Sequence, residues 1–125
     1  MSTQKFGPNF ILLYVSSPRQ SAEFYQSLLG SAPLELSDNF AMFAMNGGQM
    51  LGLWARETVS PGALANAGAT ELAMTVDGTD SVDAVHQDWT QRGYVIIQAP
   101  CHMDFGYTFT AQDPDGHRLR VFTPA

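Results

Sequence analysis

Cysteine and charge are both scarce in this 125-residue chain. Cys101 is the single cysteine, so no internal disulfide is possible and a reducing compartment, the cytoplasm, is expected. Charged residues make up 14% of the sequence, against about 25% in an average domain. Lysine and arginine number 6 against 12 acidic residues, and the net charge of −6 argues against nucleic acid or an anionic membrane as a partner.

Long apolar runs are also missing. The longest, Phe10–Val15, is far shorter than the roughly 20 residues that a membrane-spanning helix needs, and residues 1–8 lack the apolar segment of an export signal. We therefore expect a soluble protein. Hydrophobic residues still make up 45% of the sequence, which is enough for the core of a single domain over residues 1–125 without metal or disulfide support.

The first half of the sequence predicts a βαβββ module over residues 8–55. Ser17 is placed to cap a helix, Pro18 suits its first position and Gly30 suits its end. Short apolar runs separated by Asp-Asn and Asn-Gly-Gly turns predict the strands. The predicted elements are a strand over 9–15, the helix over 18–29 and strands over 34–37, 40–45 and 49–54.

The same order of elements recurs after a linker over residues 56–70 that is rich in Ala, Gly and Pro. The second module, over 71–123, has a strand over 71–76, a helix over 80–92 and strands over 94–99, 107–113 and 118–122. Phe10–Val15 aligns with Glu71–Val76 at an offset of 61, and Gly48–Trp54 aligns with Gly116–Phe122 at an offset of 68. The sequence therefore predicts an α+β fold built from two tandem βαβββ modules.

Two stretches carry a family resemblance. Tyr14-Val15-Ser16-Ser17 runs into Ala22-Glu23-Phe24-Tyr25 and Leu28-Leu29-Gly30, and Asp113-Pro114-Asp115-Gly116-His117 precedes the last strand. Together with the repeat, they make the whole chain resemble the vicinal oxygen chelate superfamily of glyoxalases, bleomycin-resistance proteins and extradiol dioxygenases. The resemblance implies that each module curls into a half-barrel, that the mixed sheet surrounds a cavity, and that the protein is a homodimer.

Metal-dependent members of this superfamily place four ligands, two His and two Glu, on the cavity face. The resemblance puts these four positions at Phe10, Gly52, Glu71 and Arg120. Phe10 and Gly52 offer no donor atom, and Arg120 would bring a permanent positive charge to the place of the cation. No metal and no cofactor are therefore expected.

Glu71 and Arg120 suggest a replacement for the metal. Because they occupy equivalent ligand positions, we expect an ion pair between them on the cavity floor, with the guanidinium in place of the cation. The alternative is that Arg120 points to the rim while Glu71 pairs with water or with another cation.

Strand alternation extends the predicted cavity face, because residues two apart on a strand point the same way. The resulting set is mostly aromatic and apolar: Phe10, Leu12, Tyr14, Met50, Gly52, Trp54, Arg118, Arg120 and Phe122. Gly52 is expected to leave empty space beside Trp54, so that a flat molecule stacks on the indole. The alternative for Trp54 is that it fills the core.

Some metal-free members of the superfamily sequester antibiotics, and the phenazine-resistance proteins among them hold a planar ligand by stacking. In these proteins the loop before the seventh strand closes over the ligand, which implies contacts from Met103, Asp104, Phe105 and Tyr107 here; hairpin packing is the alternative for Phe105–Phe109. The resemblance therefore implies a metal-independent protein that binds and sequesters a planar aromatic or cationic antibiotic. The alternatives are a metal-independent enzyme, with Glu71 or Asp104 as general base, and a ligand-sensing regulatory domain.

Overall fold

The computed structural model describes residues 7–125, which divide between Leu64 and Ala65 into two compact units. The elements of unit one are β1 (Phe10–Val15), α1 (Pro18–Leu29), β2 (Glu35–Leu36), β3 (Phe40–Ala44) and β4 (Met50–Ala55), with single 3₁₀ turns over Asn46–Gly48 and Arg56–Thr58. Its four strands form one mixed sheet in the order β1-β4-β3-β2, in which β1 and β4 run parallel and the other pairs antiparallel.

Helix α1 begins and ends at the predicted residues. The Ser17 hydroxyl accepts a hydrogen bond from the Gln20 amide at 3.2 Å, and Pro18 occupies the first helical position, where no amide hydrogen is needed. Gly30 ends the helix with a φ of 75°, and its amide donates to the carbonyl of Gln26. The buried face of the helix includes Ala22 and Tyr25, and this face packs against the sheet.

The core of unit one lies between α1 and one face of the sheet. Alternate residues of the strands are fully or almost fully buried there: Leu13, Val15, Ala41, Phe43, Leu51 and Leu53. The intervening residues of β1 are about two-fifths exposed, with values of 40% for Phe10, 43% for Leu12 and 37% for Tyr14. The side of the sheet away from the helix is therefore an apolar surface that unit one itself leaves partly open.

Unit two repeats this topology. Its elements are β5 (Glu71–Thr75), α2 (Gly78–Gln91), β6 (Val95–Met103), β7 (Gly106–Gln112) and β8 (Arg118–Pro124). The strand order is β5-β8-β7-β6, with β5 and β8 parallel, so each element has the same place as its counterpart in unit one. The predicted tandem βαβββ arrangement and the α+β class are confirmed.

Strand β6 is longer than predicted. The sequence predicts its end at Ala99, because Pro100 interrupts the apolar run, whereas the strand continues to Met103 through two register shifts between Ile96 and Cys101. An edge strand tolerates proline because one side of it needs no hydrogen-bond partner, and β6 is the edge of its sheet. These irregularities change which residues of β6 share a face.

The core of unit two lies between α2 and its sheet. Trp89 packs on Phe109 with ring centroids 5.4 Å apart, and Val82, Leu119 and Val121 are buried with them, so Trp89 is a core residue of this unit. The turn before β8 is built by Asp113, whose Oδ1 accepts hydrogen bonds from the amides of Asp115 and His117 at 2.9 and 2.8 Å. This explains the Asp-Pro-Asp-Gly-His motif as turn chemistry.

Neither sheet closes into a barrel. That the two units act as one domain around a shared cavity stays a prediction. None of the helices among residues 7–125 is long and apolar enough to cross a membrane.

Candidate functional site

The open face of unit one contains the residues predicted for it. Phe10 lies beside Met50, Leu12 beside Gly52 and Tyr14 beside Trp54, and all six project from the side of the sheet away from α1. The Tyr14 ring meets Trp54 edge-on, with centroids 6.3 Å apart. Phe40 on β3 joins this face opposite Trp54, and the alternation of β3 is the signal that locates it. We call this set the aromatic face.

The predicted empty space at Gly52 is wrong. A Cβ atom at this position would lie 2.5 Å from Leu12 Cδ2, 2.8 Å from Phe10 Cε1 and 3.1 Å from Phe40 Cζ. The side chains of the neighbouring strands have folded over the glycine, because apolar groups close a gap that water would otherwise fill. Any flat molecule on this face must therefore contact the rings of Phe10 and Trp54 from outside, with no slot beside Gly52.

Replacing Gly52 by alanine is expected to destabilise the protein by about 1 kcal/mol, near the lower end of the cost of overpacking. The two nearest atoms, at 2.5 and 2.8 Å, must shift, and they can do so at modest cost because they are the far ends of part-exposed side chains. Urea unfolding measures the effect, with the outward-facing Gly62→Ala as the control because its Cβ would meet open space. A Gly52→Ala variant as stable as the wild type would contradict this packing and indicate empty space beside Gly52.

The expected ion pair between Glu71 and Arg120 is confirmed on the open face of unit two. Arg120 Nε donates to Glu71 Oε2 at 2.7 Å and Nη2 donates to Oε1 at 3.0 Å, a bidentate arrangement. Nη1 donates to Gln98 Oε1 at 3.0 Å and to Thr108 Oγ1 at 3.2 Å. Arg120 is therefore held over the sheet and does not point to the rim.

Gln98 and Thr108 belong to this candidate site, although the sequence did not indicate them. Thr108 sits opposite Phe122 on β8 and its hydroxyl also donates to the carbonyl of Val121 at 2.9 Å. Gln98 accepts from Thr110 Oγ1 at 2.9 Å as well as from Arg120. Alternation along β7 could have located Thr108 and Thr110, whereas the irregular register of β6 hides Gln98.

The electrostatics of the pair follow from this geometry. The hydrogen bonds from Arg120 lower the pKa of the Glu71 carboxyl, an effect that partial burial opposes and the positive charges of Arg120 and Arg118 reinforce. The same hydrogen bonds raise the pKa of Arg120. Each oxygen of the Glu71 carboxylate thus already accepts one hydrogen bond from Arg120, and the lowered pKa makes the group a weaker base than a free glutamate.

Phe105 and Phe122 complete the group around Arg120. Their ring centroids are 5.7 Å apart, and the guanidinium carbon of Arg120 lies 5.7 Å from the Phe105 centroid, within cation–π range. Phe105 is 43% exposed, so much of its ring remains available. Asp104, the residue before it, lies exposed in the turn between β6 and β7.

Tyr107 lies apart from this group. Its hydroxyl donates to Asp83 Oδ1 on α2 at 2.7 Å, which places the side chain on the helix-facing side of the sheet and raises its pKa. The signal was available, because Tyr107 and Phe109 are two residues apart on one strand and Phe109 belongs to the core. The structure therefore brings Phe105, Phe122, Glu71 and Arg120 together but not Tyr107.

An open depression of about 280 Å³ lies beside the ion pair within unit two. It is lined by Ile97, Gln98, Thr110, Arg118 and Arg120. Arg118 and Arg120 are alternate residues of β8, so both project from the same face. The depression is polar and basic, in contrast to the aromatic face of unit one.

The four positions that the family resemblance assigns to metal ligands do not fit a metal ion. In unit one the ring of Phe10 lies over Gly52, and in unit two the guanidinium of Arg120 holds the carboxylate of Glu71. Across residues 7–125, the structure brings together no group of three His, Cys, Asp or Glu side chains that could bind a metal. A single carboxylate already paired with arginine is a poor ligand set for a divalent cation.

Comparison with known sequences identifies the class of protein that this fold represents. Residues 7–121 match the sequence model of the Glyoxalase/Bleomycin resistance protein/Dioxygenase superfamily, and the chain belongs to this superfamily. Over 117 residues it is 26% identical to the phenazine antibiotic resistance protein EhpR of Enterobacter agglomerans, an alignment that covers 91% of this chain and 89% of the relative.

Solved structures agree with this placement. The solution structure of protein ATC0852 from Agrobacterium tumefaciens is 45% identical, with a TM-score of 0.88 and coverage of 97% of this chain and 99% of that one. A glyoxalase-related enzyme from Fulvimarina pelagi is 22% identical, with a TM-score of 0.80 and coverage of 94% and 87%. At 22% identity, the similarity to the Fulvimarina pelagi protein shows only that the fold is shared.

Proposed function

We propose that this protein binds a planar aromatic small molecule without a metal ion and sequesters it unchanged, as a means of antibiotic resistance. The observation that carries the proposal is the aromatic face, where Phe10, Leu12 and Tyr14 are each about two-fifths exposed in unit one and Trp54 is partly exposed beside them. A homodimer in the cytoplasm is part of the same proposal.

The energetics of such a face favour a flat ligand. Each ring-on-ring contact contributes about 0.5–1.5 kcal/mol beyond the burial of apolar area. Two such contacts together with the buried area are sufficient for micromolar affinity, about −8 kcal/mol. Rings held edge-on by their neighbours, as Tyr14 is by Trp54, lose little conformational entropy when a ligand settles on them.

The chemistry of the acidic residues supports binding over catalysis. A general base works best with a pKa near the working pH, whereas the pKa of Glu71 is lowered and each of its oxygens is held by a hydrogen bond from Arg120. Asp104, the other candidate base, is exposed to water in a turn. The relationship to a phenazine antibiotic resistance protein, which covers nine-tenths of the chain, supports the same choice.

Phenazine binding to the 125-residue chain tests this function. Isothermal titration is expected to give stoichiometric binding with a dissociation constant in the micromolar range, and Trp54→Leu is expected to weaken it about tenfold by removing one stacking ring. Trp89→Phe is the matched control, because it changes the other tryptophan, which lies in the core of unit two against Phe109. It should leave the affinity unchanged.

The fate of the compound distinguishes a binding protein from an enzyme. Phenazine released from the complex by denaturation is expected to have its original mass. Recovery of an altered compound would establish an enzyme instead, and the absence of binding by phenazine and by a panel of other planar antibiotics would contradict the proposed function altogether.

A further inference from the structure

The charge of the depression in unit two is opposite to that of the chain. The whole sequence has a net charge of −6, with only 6 lysines and arginines. Two of these, Arg118 and Arg120, line the depression, and its other lining residues, Ile97, Gln98 and Thr110, are neutral. Since Glu71 balances only one of the two arginines, this part of the surface keeps an excess positive charge.

Arg118 is the cation that remains for a ligand. Four of the five N–H groups of Arg120 are used by Glu71, Gln98 and Thr108. Arg118 is exposed and takes part in none of the short ion pairs found among residues 7–125, although its charge acts on Glu71 from the neighbouring strand. Its guanidinium is therefore free to form a bidentate pair with an incoming anion.

Gln98 adds a neutral donor to the same depression. Its carbonyl oxygen accepts from Arg120 and Thr110, which leaves its amide nitrogen as the group that can donate to a ligand. That nitrogen donates to the thioether sulfur of Met103 at 3.5 Å, and a thioether is a weak acceptor that a carboxylate oxygen readily replaces. Phe105 does not line the depression itself, but its part-exposed ring lies 5.7 Å from the guanidinium carbon of Arg120, which does.

We propose that this depression selects an aromatic carboxylate, with the carboxylate on Arg118 and Gln98 and the ring against Phe105. The inference rests on the proposed function and specifies the ligand class. The proposal also replaces the expected cationic ligand by an anionic one. Salt screens the net negative charge of the chain, so that this charge attracts a cation only weakly, whereas the Arg118 guanidinium would contact the anion directly.

Two phenazines of nearly equal shape test the charge requirement. At neutral pH and low salt, a phenazine carboxylate is expected to bind the wild-type protein about tenfold more tightly than the corresponding phenazine carboxamide, because only the first gains a charge-assisted pair. Arg118→Gln should abolish this preference by weakening the carboxylate about tenfold and leaving the carboxamide unchanged.

Arg92→Gln is the matched control. It removes the same charge from unit two, but Arg92 lies at the end of α2 and pairs with Asp88. The preference for the carboxylate should survive in this variant. Equal affinity for both phenazines, or an equal loss of both in Arg118→Gln, would overturn the anion site and leave the proposed function intact, whereas no binding of either compound by the wild type would overturn both.

Discussion

Replacing Arg120 by methionine is expected to destabilise the protein by about 2 kcal/mol. Methionine keeps much of the apolar stem but removes four hydrogen bonds and leaves Glu71 without its partner. Breaking a fully buried pair costs about 3–5 kcal/mol, and exposed pairs are worth about 1 kcal/mol or less. The Arg120 and Glu71 side chains are 16% and 31% exposed, which places this pair between the two.

A double-mutant cycle with Glu71→Gln measures the interaction itself. The coupling energy is expected to be about 1 kcal/mol or more, because each single variant removes one member of the pair and leaves the other without its partner. The Asp88–Arg92 pair on α2 is the matched control: its side chains are 50% and 40% exposed, so its own cycle should give a clearly smaller coupling. Additive effects in the Glu71–Arg120 cycle would contradict the pairing.

The pH dependence of that coupling has a definite sign. Because the folded-state pKa of Glu71 lies below its ordinary value of 4.5, the pair stabilises the protein fully above that pH. The contribution is lost as the pH falls through the folded-state pKa, since the protonated carboxyl no longer attracts the guanidinium. The cycle should therefore give the same coupling at neutral pH as at pH 6, and a coupling that declines as the pH falls below the ordinary carboxyl pKa of 4.5.

The family resemblance made the ion pair predictable. It placed Glu71 and Arg120 at equivalent ligand positions, on β5 and β8, and the parallel pairing of these strands brings the two side chains to the same face of one sheet. Opposite charges on neighbouring strands of one face stabilise each other, so this contact follows from the strand positions. The helix ends were predictable for a similar reason, because Ser17, Pro18 and Gly30 act through local backbone geometry.

The filled space at Gly52 was not predictable from alternation. The sequence indicates the direction of a side chain from its strand, but whether a neighbour folds over a glycine depends on rotamers of Leu12, Phe10 and Phe40 on two other strands. Gln98 was hidden for a different reason, since the register of β6 shifts on both sides of it. Packing between strands and irregular edges therefore limit what alternation predicts about a site.

Replacing Gly106 by alanine is expected to have the largest effect, about 3 kcal/mol of lost stability, because overpacking and backbone strain add at one residue. Gly106 has a φ of 149°, which side chains rarely allow, and its Cβ would collide with the backbone carbonyl oxygen of Thr123. It would also lie 3.0 Å from the amide nitrogen of Ala125 and from Pro124 Cα. These are backbone atoms of the paired strand β8 and of the residue that follows it, and they cannot turn aside as a side chain can.

The change should also disturb the proposed carboxylate site of unit two. Gly106 directly follows Phe105, whose carbonyl accepts a hydrogen bond from the Ala125 amide at 2.9 Å. Urea unfolding measures the lost stability, and titration of the folded fraction measures affinity for the phenazine carboxylate, which should fall as Phe105 leaves Arg120. Gly93→Ala is the matched control: its φ of 81° is also unfavourable, but its Cβ would meet open space, so about 1 kcal/mol is expected. Equal losses in the two variants would show that backbone strain alone, and not the collision with β8, decides the result.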